Sequence, residues 1–247
     1  MTRIHHLNCL EIHAPTGDIA IGHCTLLEVE DRLILIDTGV GLRDCDLAQS
    51  RLAPELVEAV GFRLDANSIA VEQIRKLGLD PSHVTDIILS HLDCDHIGGI
   101  IDFPNARVHL SKTEYDNYLS GNPRYVRTLL PTDSELVKYA DYTELWNRLK
   151  VVKLDIVGVE VYLTPLPGHT LGHSGVVYYA QQQWWLYVGD AYYLREELTN
   201  PNHPIHQLTS ARADNNDLRI VSLEVIKRFM IEHSSVNVYG YHDPEEF

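Results

Sequence analysis

Cysteine is scarce in this chain. Only Cys9, Cys24, Cys45 and Cys94 occur in 247 residues, with no Cys-x-x-Cys pair. Such sparse spacing argues against a thiolate zinc finger or a disulfide scaffold and fits a reducing compartment. Basic residues are also few: 20 Lys and Arg stand against 35 Asp and Glu, a formal net charge of −15. Binding to a nucleic-acid backbone is driven by clustered Lys and Arg, so nucleic acid is not the expected partner. No apolar run reaches the length that spans a bilayer, and the opening residues through His6 lack the apolar stretch of a signal peptide. The chain is therefore expected to be soluble and cytoplasmic, with no membrane partner. What remains is ordinary globular composition, 45% apolar and 22% charged, on a chain long enough to bury a sizeable core. With no short-period repeat, low-complexity stretch or linker, residues 1–247 are expected to form one domain.

Strand signals come first along the chain: residues 24–29 and 32–36 flank a tight turn at Glu30-Asp31, and the second run ends at Asp37-Thr38-Gly39. Residues 42–66, interrupted by Pro54 and Gly61, predict an irregular surface excursion. Residues 67–78 predict a helix, because Ile69, Ala70, Ile74 and Leu77 recur at helical spacing and Gly78 is suited to stop it. Strands follow at 86–89 and 108–110. The Tyr-rich stretch 112–149, broken at Gly121-Asn122-Pro123 and Pro131, predicts polar helical segments inserted near a site. Strands return at 151–154, 159–163, 175–179 and 184–188. A helix is predicted over 218–233 with Leu218, Val221, Val225, Ile226 and Phe229 on one face, and a strand at 236–240 closes the chain. The order gives two similar halves, each a sheet covered by helix.

The most informative stretch is residues 90–99. His91, Asp93, Asp95 and His96 fall within six positions directly after a strand. A core has no packing use for such density, since each buried unpaired polar group costs free energy. A metal centre is the expected explanation. Further ligand candidates sit at three later strand ends: His169 in Pro-Gly-His-Thr, Asp190 in Val-Gly-Asp-Ala and His242 in Gly-Tyr-His-Asp. Cys94 lies between ligands but should point away from them, into packing. The other histidines, His5, His6, His13, His23, His83, His109, His203, His206 and His233, are expected on the surface or hydrogen-bonded in the core. His173 is expected beside the site without ligating.

Taken in order, Asp37-Thr38-Gly39, His-x-Asp-x-Asp-His, Gly-His-Thr, Gly-Asp and the late His242 resemble the metallo-β-lactamase-fold superfamily of metallo-hydrolases, over essentially the whole chain. The resemblance implies an α/β chain folded as an αβ/βα four-layer sandwich with a dinuclear site at one edge. It assigns His91, Asp93 and His169 to one cation, Asp95, His96 and His242 to the other, Asp190 to both, and Asp37 to support from behind. Zinc is the expected metal. The family usually has His where this chain has Asp93, and the harder aspartate opens the site to iron or manganese.

Tyr193, three residues after Asp190, matches the branch that resembles N-acyl homoserine lactonases, where a tyrosine at that spacing contacts the substrate carbonyl. Tyr192 is the weaker candidate of the pair. This implies a hydrolase that opens a small-molecule ester, a lactone of the N-acyl homoserine type, by attack of a metal-bridging hydroxide. Asp95, Asp190 and Tyr193 would be its catalytic residues, with Asp190 passing a proton to the leaving alkoxide. The reading is compatible with a homodimer. Two alternatives share the ligands: a glyoxalase II-like thioesterase, against which the acidic tail from Asp243 counts, and a diiron redox protein, whose relatives carry a flavin-binding domain missing here.

Overall fold

The computed structural model describes residues 2–14 and 17–247. The first half supplies strands β1 (Arg3–His13), β2 (Ile19–Val29), β3 (Arg32–Ile36), β4 (Phe62–Arg63), β5 (Val84–Ile88), β6 (Arg107–Ser111) and β7 (Leu136–Tyr139). They form a seven-stranded sheet in the order β4-β1-β2-β3-β5-β6-β7. The second half supplies β8 (Glu144–Trp146), β9 (Leu149–Lys153), β10 (Glu160–Pro165), β11 (Ser174–Ala180), β12 (Gln183–Tyr187) and β13 (Asn237–Tyr239), in the order β13-β12-β11-β10-β9-β8. Helices α1 (Pro54–Val60), α2 (Ala70–Lys76), α3 (Cys94–Ile97), α4 (Lys112–Leu119), α5 (Ile205–Arg212) and α6 (Asn216–Glu232) complete the described residues, with short 3-10 turns between. No helix among them is long and apolar enough to cross a membrane.

The main core lies between the sheets. It joins Leu26, Ile34, Leu35 and Ile87 of the first sheet to Val161, Leu163, Val176 and Tyr178 of the second. A smaller core packs Leu223, Ile226 and Phe229 of α6 against the outer face of the second sheet, at Tyr162, Val177 and Leu186. The expected four-layer α/β sandwich is the fold. Buried tyrosine hydroxyls stitch its two halves together: Thr25 of β2 meets Tyr239 of β13 at 2.8 Å, and Tyr187 at the end of β12 reaches across to Asp37 at 2.5 Å. Each removes a buried polar group from the unsatisfied state.

β3 and β5 run parallel, as do β12 and β13, and β10 shares their direction because two antiparallel steps separate it from β12. The five motifs therefore follow the carboxyl ends of β3, β5, β10, β12 and β13 and meet at one edge of the sandwich. Open α/β sheets place ligands outside such strand ends.

Three local expectations are corrected. The excursion at 42–66 contains helix α1 and strand β4, and β1 carries no clear strand signal. Within 112–149 only α4 is a regular helix; residues from Leu136 form β7 and β8, because β6, remote in sequence, completes the ladder of β7 and the next strand, β9, turns back as a hairpin on β8. In α6 the extent agrees but the face is rotated. Leu218, Val221 and Val225 are exposed, whereas Arg219 is buried because Glu197 and Asn216 accept its guanidinium. Leu77, part of the apolar spacing that predicts α2, caps that helix and is also exposed.

Candidate metal centre

The loop after β5 is fixed before any ligand is considered. Asp37 adopts a left-handed φ of 51°, which aspartate tolerates better than most residues. Its Oδ1 accepts from the Ser90 backbone N–H at 2.8 Å, and its Oδ2 accepts from Ser90 Oγ at 2.6 Å, His96 Nδ1 at 2.8 Å and Tyr187 Oη at 2.5 Å. Asp37 is thus a support, as the sequence suggests. On the other side, buried Glu114 of α4 accepts from Leu92 N, Tyr125 Oη, Thr170 Oγ1 and Gly172 N, tying the loops of His91 and His169 together. Gly168 has a φ of 134°, and a Cβ there would sit 2.0 Å from the Arg219 backbone N, so α6 can pack against the His169 loop only over glycine.

The seven ligand candidates converge. Three groups have ligand atoms within 4.8 Å of one another: His91, Asp93 and His169; Asp95, His96 and His242; and His91, His96 and Asp190. Asp190 stands between the first two groups, with Oδ1 3.2 Å from His96 Nε2 and Oδ2 3.2 Å from His242 Nε2 and 3.4 Å from His169 Nε2. Tyr193 places its ring 4.7 Å from that of His242 and 5.8 Å from that of His169, centroid to centroid. Tyr192 turns away, its hydroxyl bonded to Glu246. His173 donates from Nδ1 to the Leu166 carbonyl and accepts the Asp190 N–H at Nε2, so it supports the site as expected without ligating. Burial holds it neutral, with a pKa down to about 3. Cys94 packs in the core, and all four cysteines are free.

Imidazole tautomers give the donor set a direct test. His96 gives its Nδ1–H to Asp37, and His242 gives its Nδ1–H to the Ile21 carbonyl at 2.9 Å. Each Nε2 is left with a lone pair facing Asp190 oxygens at 3.2 Å. Lone pair against lone pair is repulsive unless a cation lies between them. Burial opposes charge on both rings, yet Asp190 with Asp95 (and, for His96, Asp37) pushes both pKa values up. In a metal-free chain the proton is that cation, and a divalent ion fits the same place while releasing it. The donor set therefore suits a hard or borderline divalent metal.

Sequence reasoning misses several participants. Glu114 and Tyr187 are far from the motifs in sequence. Arg124, after the Gly121-Asn122-Pro123 break, hydrogen-bonds Asp93 from Nε at 2.8 Å and Nη2 at 2.6 Å. Arg212, at the end of α5, adds positive charge near Tyr193, Asp93 and Asp95. The one available hint of a nearby cation was the extra carboxylate of Asp93 in an already acidic motif.

Glu114 also carries a pH signature. Burial lifts its carboxyl from 4.5 to about 7 in spite of four donors that favour ionisation. The native state then holds a proton that the unfolded chain loses, so the stability from the neutral form is full below about 4.5 and is lost as pH rises through about 7. Glu114→Gln is expected to flatten that decline in urea unfolding compared at pH 5 and pH 8. Equal pH slopes in both proteins would contradict it.

Comparison with known proteins agrees with this geometry. The family model of the metallo-beta-lactamase superfamily matches residues 17–226. A probable metallo-hydrolase of Mycobacterium tuberculosis is 37% identical over 208 residues, covering 79% of this chain but 64% of its own length, so this chain spans under two thirds of that relative. An N-acyl homoserine lactonase of Bacillus thuringiensis is 25% identical over 232 residues, 90% of this chain and 81% of that one. Among solved structures, an N-acyl homoserine lactone hydrolase with the product N-hexanoyl-L-homoserine at its catalytic metal centre superposes with a TM-score of 0.75 at 21% identity, over 99% of this chain and 94% of that one. A probable metal-dependent hydrolase from Staphylococcus aureus reaches 0.72 at 16% identity, over 98% and 89%. With five strand-end motifs in one place and a family match across most of its length, the chain belongs to the metallo-β-lactamase superfamily.

Proposed function

We propose that the protein is a metal-dependent hydrolase that opens a lactone of the N-acyl homoserine type. The observation that carries the reading is the pair of locked imidazoles, His96 and His242, whose Nε2 atoms face Asp190 with no proton of their own to offer in the neutral state. His91, Asp93 and His169 would hold one cation, Asp95, His96 and His242 a second, and Asp190 both. Zinc is the proposed metal, with iron or manganese accommodated by the carboxylate of Asp93. When bound, such cations acidify water and polarise an ester carbonyl.

The chain's own groups supply the rest. Burial and the Asp190 carboxylate push the Tyr193 phenol well up, so it remains a hydrogen-bond donor at neutral pH. In this reading it donates to the oxygen on which charge develops. In the metal-free chain the charged His242 and His96 rings hold Asp190 ionised against its burial, a part that bound cations would take over. Asp190 can take a proton from the attacking water and return it to the leaving alkoxide. Support for a lactone over other esters comes from the lactonase relatives together with the position of Tyr193 beside His242 and His169.

A panel of N-acyl homoserine lactones, a glutathione thioester and a phosphodiester tests the reading. Lactone should exceed the other classes by about a hundredfold in kcat/KM, some 2.7 kcal/mol at 1.36 per tenfold. Preference for the thioester would replace the proposal. Tyr193→Phe should lower kcat about a hundredfold, the usual effect of deleting one oxyanion donor. A change under twofold would remove Tyr193 from the chemistry.

A further inference from the structure

Asp93 is already paired. Arg124 grips it side-on, Nε to Oδ1 at 2.8 Å and Nη2 to Oδ2 at 2.6 Å, with both side chains under a tenth exposed. The same Nη2 lies 3.0 Å from His169 Nε2. The guanidinium thus bridges the two atoms, Asp93 Oδ2 and His169 Nε2, that this half of the centre would turn toward a cation. A neutral imidazole nitrogen has one lone pair, which can accept an N–H or bind a metal, but not both at once.

The arginine is anchored from behind. Its Nη1 donates to the carbonyls of His169 and Arg212 at 2.8 and 3.0 Å and to Asp214 Oδ1 at 2.9 Å. Asp214 is itself held by Asn117 at 2.7 Å and Asn122 at 3.0 Å. Every guanidinium nitrogen therefore has an acceptor, and the group is a built part of the site.

The other half differs on both counts. Among the described residues no Lys or Arg hydrogen-bonds Asp95, His96 or His242. Both of its imidazoles have Nδ1 tied down, whereas in the Asp93 half only His91 has an Nδ1 partner, Ser90 Oγ at 3.0 Å, and His169 Nδ1 is buried with none. Outer hydrogen bonds of that kind orient ligand imidazoles and raise their basicity.

We propose that the two halves of the centre are unequal. Asp95, His96 and His242 with Asp190 hold a divalent cation tightly. At His91, Asp93 and His169 the Arg124 guanidinium serves as the resident counter-cation of Asp93, and a second ion enters only by displacing it. This rests on the metal-site reading above and sharpens it: Asp93 marks where a protein cation competes with a metal.

Stepwise zinc titration of the metal-free full chain against a chromophoric chelator tests it, with zinc content measured by mass spectrometry after dialysis. Wild type should retain one equivalent and bind a second about a hundredfold more weakly, the upper range of outer-partner effects on metal affinity. Arg124→Ala should tighten the second step at least about tenfold and leave the first unchanged. If that variant fails to fold by circular dichroism, Arg124→Lys, which keeps a charge but loses the fork, carries the same comparison. Two equal steps in wild type, or a second step that is unchanged or weaker in the variant, overturns the inference and leaves the metal site standing. A wild-type chain that binds no zinc overturns both.

Discussion

Asp95→Ala is expected to abolish turnover and metal retention together. Its Oδ2 lies 3.8 Å from His96 Nε2 and 3.7 Å from His242 Nε2, closing the ligand group whose imidazoles are locked for binding. Removing it leaves one carboxylate, Asp190, facing two nitrogen ligands. The loop itself should survive, because the Asp95 backbone carbonyl is held by Tyr241 Oη at 2.5 Å independently of the side chain. A loss of about a thousandfold in kcat/KM, or ~4 kcal/mol at 1.36 per tenfold, is the expected scale for losing metal assistance. Lactone kinetics, zinc content and circular dichroism on one preparation check it. Full turnover with the metal gone would show that this ligand group has no part in the chemistry.

Asp37→Ala should be the most damaging change that touches no proposed ligand position. Four donors, Ser90 N–H, Ser90 O–H, His96 Nδ1–H and Tyr187 O–H, would lose their acceptor in a fully buried place. Alanine is also less tolerant of the left-handed backbone there. Breaking a buried charged network by removing one partner costs about 3–5 kcal/mol. Freed from Asp37, His96 could take either tautomer, and zinc affinity should fall by about 10–100-fold. Urea unfolding and zinc titration measure the two effects. A stability change under about 1 kcal/mol, the size of one ordinary hydrogen bond, would contradict the network's role.

Those two residues also show what could be read from the sequence. Asp37 directly follows the apolar run of β3 and Asp95 lies on α3 shortly after that of β5, so their place beyond a strand was legible from the chain alone. The same holds for His169, Asp190 and His242, and the α/β sandwich was implied by the family resemblance that these motifs carry, in agreement with two halves of sheet and helix. Local pattern fails where a distant partner decides. Arg219 is buried on α6 because Glu197, 22 residues earlier, accepts its guanidinium at 2.8 Å, and this rotates the helix away from its apolar stripe at Leu218, Val221 and Val225. β7 gains its ladder from β6 nearly 30 residues back, so the polar stretch around it reads locally as helix. Arg124 sits 31 residues from Asp93, and nothing in its own neighbourhood announces the pairing.

The account turns on metal-dependent hydrolysis at Asp190 and its neighbours. Its most direct test is metal analysis of protein purified without added metal, followed on that sample by a lactone assay before chelation, after it and after zinc is restored. The account predicts a bound divalent metal, loss of activity with its removal, and recovery with zinc. Hydrolysis that continues undiminished in the metal-free protein would contradict it.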